Sequence, residues 1–165
     1  MSSDIVKASA IFDKAIETEK EGLRVYTEAA EKVKDPGAKE IFTILAKAEA
    51  IHLKQIQEAK GADLSVFASR EWKGSFKAEL EKVIASIGRL VVPAVTDEMA
   101  DITALEAVDV GIKLEKDSIE FYSNARDQVS DPGAGNFFGS LLATERTHLL
   151  LLEMKRDSLV YASKS

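Results

Sequence analysis

The sequence predicts an all-α protein, an antiparallel four-helix bundle built from two similar helical hairpins. Three observations support this fold class. Apolar residues recur at intervals of three and four over long stretches, as they do on one face of an α-helix. The 165 residues are 45% hydrophobic and 30% charged, with no Cys and three Pro, which is typical of a helical domain with one core. The two ends of the chain also share one pattern of residues.

This pattern occurs twice, at positions that are 96 residues apart and need no gap to be aligned. An ungapped repeat through two helices and the turn between them implies two equivalent hairpins. We therefore predict one domain over residues 1–165, with repeats at 4–60 and 101–161 and a connection over 61–100. The repeated pairs are Glu19 and Glu115, Tyr26 and Tyr122, Asp35 and Asp131, Glu49 and Glu145, and His52 and His148.

The turns of the two hairpins have the same sequence, Asp-Pro-Gly. We expect the first helix over about residues 4–34. Asp35 suits the N-cap of the second helix, Pro36 suits its first position, and Gly61 marks its end. The connection should cross the length of the bundle and contain one extra amphipathic helix, at about Arg70–Ile87.

In the second hairpin, we expect the third helix over about residues 102–129. After the turn, the fourth helix should extend to about Tyr161.

Composition excludes several classes of function. A formal net charge of −6 argues against nucleic acid or an anionic membrane as a partner. The absence of Cys rules out disulfides and thiolate metal sites. No apolar stretch approaches the length of a membrane span, and the first residues do not resemble a signal peptide. We therefore expect a cytoplasmic protein.

A stripe of apolar residues on the second helix contains a carboxylate and an imidazole. The spacing Phe42-x-x-Leu45-x-x-x-Glu49-x-x-His52-x-x-x-Ile56 places all five side chains on one helix face. The fourth helix repeats the spacing with Phe138, Leu141, Glu145, His148 and Leu152.

The bundle interior should therefore hold six polar side chains. The glutamates of the first and third helices, Glu19 and Glu115, also lie on apolar stripes. Burying even one unpaired charge costs several kcal/mol, and two divalent cations would balance four carboxylates. Carboxylate and imidazole ligands suit iron or manganese, with overlap to zinc. The predicted metal ligands are Glu19, Glu49, His52, Glu115, Glu145 and His148.

Other interpretations of these residues remain open. A single buried His is more often a hydrogen-bonded core residue than a ligand, but two of them, each with its Glu and related by a repeat, favour a metal site. Tyr26 and Tyr122 either fill the core or donate hydrogen bonds to the carboxylates. In the second case, they join Glu49 and Glu145 as the catalytic candidates.

At these residues, the chain resembles the rubrerythrin branch of the ferritin-like superfamily. The resemblance rests on the two Glu…Tyr pairs, the two Glu-x-x-His motifs and the Asp-Pro-Gly turns, and it covers about two-thirds of the chain. It implies a carboxylate-bridged di-iron centre, with Glu49 and Glu145 as bridging ligands and Glu19 and Glu115 as terminal ones. His52 and His148 would each bind one iron.

The chain departs from that family in two ways. Full-length rubrerythrins carry a cysteine-ligated rubredoxin iron site as electron donor, which a sequence without Cys cannot form. They also have a further Glu one turn after the third-helix ligand, where this chain has Ser118.

Three functions follow from these expectations. The first is a di-iron oxidoreductase that reduces hydrogen peroxide or dioxygen in defence against oxidative stress, as a homodimer served by a separate electron-donor protein. The second is an iron-binding or ferroxidase protein for storage or delivery. The third is a structural metal-binding bundle without turnover.

Overall fold

We describe residues 3–60 and 102–164 of a computed structural model of the chain, which form four long α-helices without a strand in these two ranges. The all-α prediction is confirmed, and each helix begins and ends within about two residues of its expected position. The predicted extra helix at Arg70–Ile87 lies outside the described residues. The helices are α1 (Ser3–Lys32), α2 (Pro36–Lys60), α3 (Ile102–Gln128) and α4 (Pro132–Ala162).

Each hairpin turn places an aspartate at the start of its second helix. Asp35 accepts a hydrogen bond from the backbone N–H of Ala38 at 2.6 Å, and Asp131 accepts one from Ala134 at 2.8 Å. These bonds satisfy backbone donors that have no partner within the helix. The N-cap predicted at Asp35 is therefore confirmed, and Asp131 has the same role in the second hairpin. Helix α1 packs along α2 as α3 packs along α4.

The two hairpins join through contacts of α1 with α3 and of α2 with α4. Tyr26 of α1 faces Glu115 of α3, whereas Glu19, two turns earlier on α1, faces Tyr122, two turns later on α3. This order shows that α1 and α3 are antiparallel. Because α1 is also antiparallel to α2, the end of α2 and the beginning of α3 lie at opposite ends of the bundle. This is the topology expected of a ferritin-like bundle with one long crossover.

The core is divided into two apolar clusters by a polar layer. On α2, Phe42 and Leu45 belong to one cluster and Ile56 to the other. On α4 the order is reversed, since Leu141 belongs to the second cluster and Leu152 to the first. Each Glu-x-x-His motif therefore lies at the boundary between the clusters, where both helices bring it to the same depth.

None of the four helices that the structure describes carries an apolar stretch that could span a bilayer.

One ion pair breaks the symmetry of the two hairpins. The ammonium group of Lys155 on α4 lies 2.6 Å from Oδ1 of Asp35, and the two side chains are only 8% and 12% exposed. The repeat places Ala59 at the position equivalent to Lys155, so Asp131 has no corresponding lysine. Asp35 therefore caps α2 and also ties the first turn to α4.

This asymmetry predicts different effects for two matched substitutions. Asp131→Ala should lower the free energy of unfolding by about 1 kcal/mol, since it removes a helix cap. Asp35→Ala should lower it by about 3 kcal/mol or more, because it also leaves the buried Lys155 ammonium without its partner. Urea denaturation of both variants measures the difference, and equal losses would show that the ion pair adds no stability.

Candidate metal centre

The structure brings the six predicted ligand side chains together in the polar layer. None of them is more than 4% exposed. Each helix presents its share on the apolar face: α1 and α3 give one glutamate each, while α2 and α4 give a glutamate and a histidine one turn apart. The imidazole rings of His52 and His148 are stacked, with centroids 5.5 Å apart and planes inclined by 22°.

The first group of side chains surrounds His52. Its Nδ1 atom lies 3.3 Å from Oε2 of Glu19, 3.2 Å from Oε2 of Glu49 and 3.2 Å from Oε1 of Glu145. These four residues offer ligand atoms that all lie within 4.8 Å of one another. One cation could therefore contact all four.

The second group surrounds His148. Its Nδ1 atom lies 3.1 Å from Oε2 of Glu145, 3.6 Å from Oε1 of Glu49 and 3.8 Å from Oε1 of Glu115. Here too the four ligand atoms lie within 4.8 Å of one another. In both groups the imidazole turns the same nitrogen, Nδ1, towards the carboxylates.

Glu49 and Glu145 belong to both groups, and each divides its two oxygens between them. Glu49 presents Oε2 to His52 and Oε1 to His148. Glu145 presents Oε1 to His52 and Oε2 to His148. A carboxylate placed in this way can bridge two cations, whereas Glu19 and Glu115 each face one group only. The roles that the resemblance implied, bridging for Glu49 and Glu145 and terminal for Glu19 and Glu115, stay predictions.

Each of the two buried tyrosines, Tyr26 and Tyr122, forms a hydrogen bond with a glutamate of the opposite hairpin. The Tyr26 hydroxyl donates a hydrogen bond to Oε1 of Glu115, and the Tyr122 hydroxyl donates one to Oε1 of Glu19. Of the two open interpretations of the tyrosines, the structure thus shows the hydrogen-bonding one. Each phenol fixes the terminal glutamate of the opposite hairpin, which leaves the second oxygen, Oε2, for another ligand.

Burial shifts the protonation equilibria of the carboxylates in two directions. Burial, followed by the charge of Glu49, raises the pKa of Glu19 to about 8. Burial and the charge of Glu145 likewise raise the pKa of Glu115 well above its usual range. Burial opposes ionisation of Glu145 as well, but the nearby imidazoles outweigh it and lower the pKa of this carboxyl to about 2. The pKa of Glu49 is lowered in the same way by its hydrogen-bonding neighbours.

The same carboxylates shift the pKa of the two histidines. Burial lowers the pKa of both imidazoles, but the neighbouring carboxylates, Glu145 foremost, raise the pKa of His52 and of His148 well above the usual value. These shifts favour a metal-free layer in which two imidazolium ions balance Glu49 and Glu145, while Glu19 and Glu115 hold protons. Four protons neutralise the layer, and two divalent cations carry the same charge.

The side chains fit a pair of divalent cations. The Oε2 atoms of Glu19 and Glu115 are buried and accept no hydrogen bond from any described residue. Buried polar atoms normally have a partner. Oε2 of Glu19 also lies beside Nδ1 of His52, and a carboxylate oxygen beside an imidazole nitrogen is suited to a metal ion. Oxygen and nitrogen donors without sulfur fit iron, manganese or zinc.

Two glycines that the sequence analysis did not assign to the site make room for it. A Cβ atom on Gly111 would lie 3.3 Å from Cε1 of Tyr26, and one on Gly22 would lie 3.3 Å from Cγ of Glu49. The carbonyl of Gly111 also lies 3.4 Å from the Tyr26 hydroxyl. A glycine in a helix interior is unfavourable unless packing requires it, which is the signal that could have identified both.

Comparison with known proteins places the chain in a family. The family model for rubrerythrin matches residues 10–155, and the chain therefore belongs to the rubrerythrin family. No curated protein and no solved structure matches the chain significantly.

The pKa shifts predict how pH affects the metal-free protein. A carboxyl with a raised pKa binds its proton more tightly in the folded state than in the unfolded state, and this stabilises the folded state at low pH. For Glu19, this contribution to the free energy of unfolding is lost as pH rises from about 4.5 to about 8. Glu115 and both histidines act in the same direction. The melting temperature of the metal-free protein should therefore fall between about pH 5 and pH 9.

A divalent metal should remove most of this decrease in melting temperature, because the bound cations replace the protons on the buried carboxylates and imidazoles. Calorimetry with chelator or with excess Mn²⁺ measures both curves. A melting temperature that rises with pH in the presence of chelator would contradict the assigned protonation states.

Proposed function

We propose that this member of the rubrerythrin family is a di-iron oxidoreductase that reduces hydrogen peroxide or dioxygen. The observation that carries the proposal is the sharing of Glu49 and Glu145 between two ligand groups, with one oxygen of each carboxylate directed to each group. Such sharing suits two adjacent metal ions that act on one small substrate. Two Fe(II) ions would supply the two electrons that, with two protons, convert hydrogen peroxide to two water molecules.

The protein side chains have distinct roles in this proposal. Glu49 and Glu145 would hold both ions, and His52 and His148 would each give one imidazole nitrogen, Nδ1. Glu19 and Glu115, each hydrogen-bonded by a tyrosine hydroxyl, would complete the two sets of ligands. Burial and nearby carboxylates raise the pKa of both phenols well above the usual range, so the tyrosines keep their protons and remain hydrogen-bond donors at neutral pH.

The apolar clusters on both sides of the layer exclude water and strengthen the electrostatic interactions within it. A separate electron-donor protein must return the electrons for each cycle. We place this reaction in a cytoplasmic homodimer that protects against oxidative stress.

Metal loading tests the proposal directly. Anaerobic protein with two equivalents of Fe(II) is mixed with peroxide or with air, and iron oxidation is followed by absorbance. We expect rapid oxidation with a preference for peroxide in the unaltered chain. The double variant Glu49→Ala/Glu145→Ala should lose this activity, because no carboxylate would remain to hold the ions together. Glu49→Gln/Glu145→Gln keeps the side-chain volume if the first variant fails to fold.

Other results would favour the other functions. Oxygen-driven uptake of more than two irons per chain would indicate storage or delivery. Absence of iron binding would indicate a structural bundle. Full activity in a folded double variant would refute the assignment of Glu49 and Glu145.

The tyrosines provide a second test. Tyr26→Phe and Tyr122→Phe each remove one hydroxyl that holds a terminal glutamate, and loss of such a partner typically lowers metal affinity or activity by about 10–100-fold. Tyr161→Phe is the matched control, because this tyrosine is 76% exposed. Equal metal affinity and activity in all three variants would show that the buried tyrosines only fill the core.

A further inference from the structure

A cavity between α1 and α3 leads from the surface to the candidate metal centre. Its volume is about 280 Å³, and its lining includes Glu19, Glu49 and Glu115, together with the Tyr26 side chain. It thus reaches one of the two shared carboxylates and both terminal ones. The outer lining includes the exposed residues Lys14, Glu17, Glu21 and Asp117.

We propose that this cavity is the entrance through which divalent metal ions reach the centre. The inference rests on the proposed two-metal centre. It adds the route by which metal ions reach the centre and the preference of that route for cations over anions. Three observations support it: the charge of the lining, a buried carboxylate oxygen without a hydrogen-bond partner on one lining residue, and two small residues in the lining.

The lining is strongly acidic. It holds six acidic side chains, three outer and three inner, and one lysine. Because the raised pKa of Glu19 and of Glu115 favours their protonated forms, the negative charge in the metal-free protein comes from Glu49 and the three outer carboxylates. Nζ of Lys14 lies 3.3 Å from Oε2 of Glu17. Arg24, which is outside the lining, forms an ion pair with Glu21. These two cations offset only part of the negative charge of the outer lining. A cleft lined with one sign of charge and bounded by protein concentrates ions of the opposite sign. Cations are therefore drawn inwards and anions are repelled.

The inner part of the lining includes Glu115, one carboxylate oxygen of which has no hydrogen-bond partner among the described residues. Glu115 is 1% exposed, and its Oε2 accepts no hydrogen bond from the described residues. The Tyr26 hydroxyl is bonded to the other oxygen, Oε1. A cation that enters the cavity would meet this carboxylate, which is already held in place, on its way to the second ligand group.

Two small residues keep the passage open. Gly22 on α1 and Ser118 on α3 occupy equivalent positions of the repeat and both line the cavity. A Cβ atom on Gly22 would lie 3.3 Å from Cγ and 3.4 Å from Cδ of Glu49. A side chain at Gly22 would thus occupy the space directly above the shared carboxylate. Ser118, which contacts no ligand atom within the described hydrogen bonds, is the position where the passage can be narrowed without such a contact.

The test measures how fast metal enters and leaves. Metal-free protein is mixed with Co²⁺ in a stopped-flow instrument, and binding is followed by visible absorbance; loaded protein is then mixed with excess chelator. Ser118→Leu narrows the passage, and Ser118→Ala is its control. Glu17→Gln/Asp117→Asn removes two outer charges. Glu40→Gln/Asp157→Asn, at exposed positions outside the lining, changes the net charge equally.

If the cavity is the entrance, Ser118→Leu slows binding and release by a similar factor of several-fold, so that affinity stays nearly unchanged, while Ser118→Ala has little effect. The outer double variant slows binding by about three- to tenfold at low salt, and the difference from its control disappears near 0.5 M salt.

The inference is overturned if the unaltered chain binds two Co²⁺ ions but all variants bind and release them at the same rates. Loss of affinity in Ser118→Leu without a change in the binding rate would also overturn it, since this would indicate a disturbed centre. If the unaltered chain binds no Co²⁺, the proposed metal centre itself is wrong, and the entrance is rejected with it.

Discussion

The free energy needed to bury four carboxylates inside one apolar bundle governs the rest of this structure. Glu19, Glu49, Glu115 and Glu145 are all at most 4% exposed, and a buried ionised carboxylate without compensation costs several kcal/mol. In the metal-free protein, the pKa shifts favour protons on the histidines and on Glu19 and Glu115 as the compensation. Two divalent cations provide the same charge together with bonds to oxygens that otherwise have no partner.

The repeat explains how a single chain assembles such a site. Since α1 is antiparallel to α3, each tyrosine lies opposite the glutamate of the other hairpin. Each ligand group likewise takes one glutamate from both Glu-x-x-His motifs. Neither hairpin contains a complete group of ligands. The polar layer therefore joins the two halves of the bundle, and metal binding and hairpin association stabilise each other.

Much of this arrangement could be predicted from the sequence, because its signals are local or periodic. The spacing of Glu49 and His52 on an apolar stripe places both in the core, and the constant offset places Glu145 and His148 beside them. The aspartate caps follow from the Asp-Pro-Gly turns. In contrast, the partner of each tyrosine depends on the relative direction of α1 and α3, which periodicity alone does not give.

Other features depend on contacts between helices that are distant in sequence. The ion pair of Lys155 with Asp35 has no counterpart in the other hairpin, so the repeat gave no indication of it. The way in which Glu49 directs one oxygen to each ligand group depends on its side-chain rotamer, which the sequence alone does not give. The cavity beside Gly22 depends on the separation of α1 and α3, although a glycine within a helix was a visible signal. The predicted helix in the connection lies outside the described residues.

The most direct test of the account is a calorimetric titration of the metal-free protein with Mn²⁺ or, without oxygen, Fe(II), repeated in buffers with different ionisation enthalpies. It measures the number of ions bound and the number of protons released. We expect two ions per chain and about four protons released near pH 6.5, because the cations replace the protons that neutralise the buried layer. Binding of fewer than two ions, or binding without proton release, would contradict it.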